Sequence, residues 1–342
     1  MPASALEARP AALSGLPLAP ATNSPGQPRR RRLGQPRLLL VGCGDVGVRI
    51  VARLQHRFRI FGTVTSKARA AQVRAAGAIP LLLDLDAATG ARREAARIAG
   101  LATRVMLLAP TSTSGRRDRR ARRLLGLLAR AKAPEEDSRL VYVSTTGVYG
   151  DRKGAWTDET TTPAPANDRS ARRLDAENIL RACHWHARVV RAPGIYAADR
   201  LPIDRLRTAI PVPLPADDVY TNHIHAEDLA RACIVALLRG GPARVYNAVD
   251  DTELLLGQYL DRVADHAGLA RPPRAPWEEM RLAAGPQRMA FLSESRRIRN
   301  RRLKRELRLR LRYPDIDAGL AGAALEAGSR GHHASKSPST DK

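Results

Sequence analysis

Four apolar residues, Leu38-Leu39-Leu40-Val41, run directly into Gly42-Cys43-Gly44-Asp45-Val46-Gly47, and no other stretch of the chain constrains its fold as tightly. An apolar run bounded by glycine reads as a buried strand, and Val46, Ile50 and Leu54 recur at helical spacing just behind it. In such a strand-turn-helix unit the chain turns at Gly42, and Gly44 leaves bare backbone for a pyrophosphate to approach. Gly47 lets the helix lie close to the sheet. The phosphates of a dinucleotide would then face a helix N-terminus. A tight turn that binds nothing is the alternative reading of the same residues. Strand patterns alternate with helical ones over residues 37–191, which predicts an α/β fold with a doubly wound parallel sheet. With 342 residues, 44% of them apolar, the chain is long enough to bury such a core.

A second apolar strand, Arg139-Leu-Val-Tyr-Val, ends in Ser144-Thr145-Thr146 followed by Gly147-Val148-Tyr149-Gly150. Further on come Arg191-Ala-Pro193-Gly194-Ile195-Tyr196, Ile224-His225-Ala-Glu-Asp228-Leu229, and Val245-Tyr246-Asn247-Ala-Val-Asp250-Asp251. Taken in order with the glycine loop, these motifs resemble the extended short-chain dehydrogenase/reductase superfamily, in particular its NAD(P)-dependent epimerase/dehydratase group. The resemblance runs from about residue 37 to 320. It implies a Rossmann-type NAD(P)-binding core with a smaller C-terminal substrate lobe, and it places the catalytic hydroxyl at Thr145, four residues before Tyr149.

The family's YxxxK helix is where the chain departs from that pattern. In Asp168-Arg169-Ser170-Ala171-Arg172-Arg173-Leu174-Asp175-Ala176-Glu177, the Ala-Glu pair aligns Arg173 with the lysine and Arg169 with the tyrosine. Tyrosine is the family's general acid/base, and arginine cannot replace it because it stays protonated at any working pH. Arg169 could still stabilise an oxyanion, and Arg173 could hold the nicotinamide ribose. Both could equally lie on a solvated helix face. The proton would come from Tyr196, His223 or water. The whole resembles an atypical bacterial subgroup of the superfamily that often lacks the tyrosine-lysine pair.

Cofactor choice is read at the end of the second strand, residues 58–65. An acid there would bond the ribose of NAD, but the chain continues Thr65-Ser66-Lys67-Ala68-Arg69. Hydroxyls and cations suit the 2′-phosphate of NADP, so NADP(H) is expected over NAD(H), although Lys67 and Arg69 could simply be the first turn of an exposed helix. In the family comparison Asp84, with Leu85 beside it, falls at the adenine-contacting acid; Asp84 could equally be a helix cap. Ala109-Pro110-Thr111 falls on the nicotinamide side, and the resemblance counts Pro193 and Gly194 among the cofactor-binding residues as well.

Residues 1–36 are rich in Ala, Pro and Gly, lack periodicity and end near Arg29-Arg30-Arg31-Arg32, so a disordered extension is expected there. A start codon placed too far upstream would explain them equally well. The core is assigned to residues 37–195, with its sheet completed by about 222–250. The substrate-covering lobe is assigned to 196–221 and 251–325, with helices at 254–267 and 294–309, and a disordered tail to 326–342. Ile298, Leu303, Leu307 and Leu311 make the last helix amphipathic, as if docked on the lobe.

Cys43, Cys183 and Cys233 are odd in number and widely spaced, which points to a reducing cytoplasm rather than a disulfide framework. His184-Trp185-His186 and His223-Ile224-His225 lack the companions of a metal site, and no metal is expected. The formal charge of +24 is almost all arginine. No nucleic-acid motif accompanies it and aromatic content is 4%, so a dedicated nucleic-acid partner is not expected, nor is a membrane. Oligomeric state is not legible, a homodimer being one option. Two functions remain. One is an NAD(P)-dependent oxidoreductase or epimerase/dehydratase-like enzyme acting on a small polar carbonyl or hydroxyl compound, such as a nucleotide sugar or aldehyde. The other is a catalytically inactive NADP(H)-binding protein with a redox-sensing or regulatory role.

Overall fold

A computed structural model describes residues 34–87, 97–130, 138–284 and 293–322. The extension with its arginine cluster, residues 1–33, lies outside the described residues, as do Glu135-Glu136, His332-His333 and the tail 326–342. The described residues from Gln35 onward belong to one compact unit. Seven parallel strands make the main sheet: β1 (Arg37–Val41), β2 (Arg59–Val64), β3 (Ile79–Leu82), β4 (Arg104–Leu107), β5 (Arg139–Thr145), β6 (Arg188–Ala192) and β7 (Val245–Asn247). Their order across the sheet is β7-β6-β5-β4-β1-β2-β3, so the order in which strands are added reverses between β1 and β4. In open parallel sheets ligands bind at the carboxyl ends of the strands beside such a reversal.

Side chains alternate along each strand, and β1 shows how the two faces are built. Leu38 and Leu40 pack with Ile50, Val51 and Leu54 of α1 (Asp45–Leu54) and with Val73 of α2 (Lys67–Ala75). Leu39 and Val41 face the other way, toward Leu124 of α3 (Arg119–Leu128) and Leu180 of α4 (Asp168–Ala182). All four strand residues are at most 1% exposed. Burying each such side chain contributes about 1.5–3 kcal/mol, which makes the strand carrying the glycine loop one of the stiffest parts of the molecule.

Pro193 has no N–H to donate and separates β6 from Gly194–Tyr196, which pairs instead with His223–His225. That pair stands outside the seven-stranded sheet, so of the segment expected to complete the sheet only β7 does so. Between them come α5 (Ile203–Arg207) and other lobe residues; α6 (Ala226–Arg239) follows His225 and packs back onto the main sheet. A separate apolar cluster joins Tyr196, Leu206, Val219 and Leu254 to α7 (Leu256–Ala267) through Tyr259, Leu260 and Val263.

The single helix expected at 294–309 is corrected. Arg297–Ile298 is a short strand paired with Trp156–Thr157, and only α9 (Arg301–Glu306) is helical, following α8 (Trp277–Ala284). Arg308 has φ +52°, which a continuing helix does not allow. The apolar residues are buried nonetheless: Leu303, Leu307 and Leu309 join the main core beside Leu229 and Tyr246, not the lobe cluster. Periodicity marked the buried residues, but an extended strap can bury the same set. No helix among the described residues is long and apolar enough to cross a membrane.

Candidate active site

Gly42 has φ +86°, and a Cβ there would lie 2.6 Å from the Ala109 backbone, so this turn accepts only glycine. Its N–H donates to Thr63 Oγ1 at 2.8 Å, and the Cys43 N–H donates to Thr63 O at 2.9 Å. β2 thereby holds the loop in place. Gly47 faces Cys43 Sγ, 3.0 Å from where its Cβ would be, which is the close helix approach expected of it. At Gly44 a Cβ would meet nothing within 4 Å. Bare backbone with open space at the N-terminus of α1 fits a dinucleotide pyrophosphate. Burial pushes the Cys43 thiol up to about 11, against a smaller opposing pull from Arg69, so this cysteine is not a poised nucleophile. The Asp45 carboxylate accepts from Arg49 at 3.2 Å and from Arg200 at 3.3 Å, while Val46 is half-buried and packs against the core.

On the adenosine side Thr65, Ser66, Lys67 and Arg69 are all exposed. Ser66 caps α2 by accepting from the Arg69 N–H at 3.3 Å, and the first turn of α2 carries no acid. Asp84 accepts from the Asp86 N–H at 2.9 Å within its own turn. Leu85 packs in the core, so only its backbone can face a ligand. Ala109 closes over Gly42, Pro110 accepts from Arg120 at 3.0 Å through its carbonyl, and Thr111 is buried.

Beyond the end of β5 lies a cavity of ≈ 420 Å³ whose lining includes Thr145, Arg169, Pro193, Gly194, His223 and Tyr259. Thr145 Oγ1 accepts from the Gly147 N–H at 3.1 Å, which orients the hydroxyl at the strand end. Arg169 is exposed overall, yet partial burial of its side chain, and then the like charges of Arg173 and Arg172, pull its pKa below the usual guanidinium value. It has no carboxylate partner among the described residues, so a nearby anion would relieve it. Arg173 is not brought into the cavity. It donates to Val143 O at 2.8 Å and to the Tyr142 hydroxyl at 3.2 Å, held against β5.

No family model and no curated protein matches the chain. A conserved protein of unknown function from Silicibacter pomeroyi superposes with a TM-score of 0.73 at 29% identity, covering 85% of this chain and 99% of that one. A Methylobacillus flagellatus protein, named as a candidate NAD-dependent epimerase/dehydratase, superposes at 0.66 with 28% identity, covering 87% and 100%. A human epimerase family protein solved with NADPH shares the fold at 0.67 and 18% identity, covering 84% and 99%. The chain is thus similar in structure to a protein named as a candidate NAD-dependent epimerase/dehydratase, and it shares its fold with an epimerase family protein.

Of the two side chains weighed as proton sources in this epimerase/dehydratase-like fold, neither is a ready acid. The Tyr196 hydroxyl donates to Asp315 O at 3.1 Å, and burial raises its pKa further. His223 is buried and stacked on Tyr259 with ring centres 3.8 Å apart; burial lowers its pKa to about 3, so it is neutral. Sequence reasoning missed Arg200, Arg205, Glu294 and Arg296, all of which line the cavity. No spacing marks them, since they arrive from separate segments. It also missed what Glu177 does: this buried carboxylate accepts from Arg191 at 2.6 Å and ties α4 to β6, while the Arg191 guanidinium sits 4.7 Å from the Tyr149 ring centre.

Proposed function

We propose that the chain is an NAD(P)-dependent oxidoreductase or epimerase/dehydratase-like enzyme acting on a small polar carbonyl or hydroxyl compound, with NADP(H) preferred. The observation that carries this reading is that one cavity is lined by Thr145, Arg169, Pro193 and Gly194 together, at the carboxyl end of the sheet that bears the glycine loop. When bound, the nicotinamide supplies or accepts a hydride. Gly42, Gly44 and Gly47 shape the phosphate loop with Asp45 and Val46. Thr145 positions the reacting oxygen, and Arg169 offers positive charge to an oxyanion. With Tyr196 committed to Asp315 and His223 neutral, the proton comes from solvent. Arg173 supports the wall through β5 instead of reaching the ribose.

Exposed Lys67 and Arg69 at an α2 terminus without acids support a 2′-phosphate site. Free Cys43, Cys183 and Cys233 support a cytoplasmic location. The test combines fluorescence titration of NADPH and NADH with a turnover panel of aldehydes and sugar nucleotides. NADPH should bind more tightly, and equal affinities would remove the NADP assignment. Thr145→Ala should lower turnover by about 10²-fold with NADPH affinity unchanged. Unchanged turnover would refute the site. A chain that binds NADPH yet turns over nothing, even as Arg169→Tyr, would favour the non-catalytic alternative.

A further inference from the structure

The cavity at the end of β5 carries more positive charge than its walls balance. Among the described residues its lining holds four arginines, Arg169, Arg200, Arg205 and Arg296, against one carboxylate, Glu294. Arg296 meets Glu294 at 2.7 Å, and Arg200 meets Asp45 at 3.3 Å. Glu294 is 7% exposed and also accepts from Asn167 at 3.4 Å, so it stays with these neighbours. His223, kept neutral by burial, adds no charge. Arg169 is exposed and has no carboxylate partner among the described residues; the charges that act on it are those of Arg173 and Arg172. Asp168, next to it in the chain, pairs with Arg116 at 3.1 Å instead.

Local structure sets this arginine beside the position that Thr145 marks. Asn167 caps α4 by accepting from the Ser170 N–H at 2.9 Å, which fixes the first turn, where Arg169 lies. A Cβ on Gly147 would lie 2.8 Å from Ser170 Oγ and 3.4 Å from Thr145 Oγ1, so the start of α4 packs directly on the end of β5. The dipole of α4 adds to the positive field of its first turn. The cofactor's own phosphates do not answer this charge, since none of residues 42–47, which shape the glycine loop, lines the cavity. Elsewhere the wall is apolar, with Pro193, Ile195, Leu256 and Leu260, and in such surroundings attraction between opposite charges is stronger than in water.

We propose that the substrate carries an anionic group of its own, a carboxylate or a phosphate ester, and that Arg169 holds this group beside the carbonyl that Thr145 positions. A guanidinium presents five N–H donors in a fixed fork, enough to grip such a group with two of them and still face a developing oxyanion. The proposal rests on the reading of this cavity as the reaction site and narrows its substrate to small charged carbonyl compounds. Calorimetric titration of the full chain, with and without NADP, compares pyruvate with acetone and dihydroxyacetone phosphate with dihydroxyacetone. At least one anion should bind about 10-fold or more tightly than its neutral counterpart, the first pair reporting a carboxylate site and the second a phosphate site. Arg169→Ala should abolish that preference, and Arg169→Lys should keep part of it. Arg57→Ala, which removes an exposed arginine just before β2 and outside the cavity lining, should leave the preference intact. Equal affinity for charged and neutral members, no binding of either anion, a preference that survives Arg169→Ala, or an equal loss in Arg57→Ala would each overturn the proposal. Failure of NADPH to bind would instead remove the cofactor reading, because the titrations without NADP read the anion site by itself.

Discussion

In the cofactor half of the site, a strand end, a left-handed glycine and a helix N-terminus occupy the consecutive positions 41–47. The reaction half instead gathers Thr145 from β5, Arg169 from α4, Gly194 from beyond β6 and His223 from the strand before α6. The first offers main-chain groups whose placement follows from φ angles and close packing. The second offers side chains whose placement depends on how separate elements are tied together. Damage to the first should therefore act locally on binding, and damage to the second should act through those ties.

The strongest tie is the buried Arg191–Glu177 pair, with side chains 3% and 0% exposed. Glu177→Ala strands the arginine charge and should cost about 3–5 kcal/mol, read as a shift in the urea midpoint. A midpoint close to the wild type would mean that α4 is held to the sheet by something else.

Acid should loosen the reaction half. His225 Nδ1 accepts from the Glu227 N–H at 3.2 Å, capping α6, and burial lowers its pKa to about 4; in the cofactor half the one histidine, His56, is exposed. The unfolded histidine takes a proton near pH 6.5, whereas the folded one resists until about pH 4. The stabilisation is therefore complete above pH 6.5 and is lost as pH falls toward 4, amounting to up to about 3 kcal/mol. His225→Asn keeps a capping oxygen but does not titrate. Between pH 7 and pH 4.5 it should lose less stability than the wild type, and equal losses would exclude His225 as the cause.

In the cofactor half, Gly44→Val should reduce dinucleotide affinity by about 100-fold or more while leaving the thermal midpoint nearly unchanged, because its Cβ enters open space. Gly42→Ala should lower stability by about 2 kcal/mol through its φ of +86° and its clash with Ala109. If both glycines acted only on stability, the loop would be a structural turn. The smallest effect separates the two arginines. Arg169→Ala should lower kcat by about 10-fold at constant stability. Arg173→Ala, which removes the bond to Val143 O, should instead cost about 1 kcal/mol of stability.

Much of the cofactor half was legible because its signals are local. The glycine spacing and the helical positions of Ile50 and Leu54 each depend on neighbours a few residues away. The reaction half was legible only where a motif marked a strand end, as at Thr145. Arg169 and Arg173 looked alike in sequence, being four residues apart on one helix, yet one lines the cavity and the other lies against Tyr142. The run at 294–309 showed which residues are buried but not their backbone conformation, since a strand, a short helix and a strap can share one hydrophobic pattern.

By itself the sequence determined the doubly wound sheet and the tight glycine turn that follows β1, because alternation, apolar runs and glycine steric freedom act over a few residues. Only the tertiary structure decided which charges are partnered. Asp45 meets Arg200 across the lobe, Asp228 accepts from the Arg312 and Tyr313 N–H groups at 2.9 and 2.7 Å, and Arg299 and Arg301 are left without a carboxylate among the described residues. Electrostatic and hydrogen-bond pairing depends on distance in space, which the folded chain sets between residues that no local pattern connects.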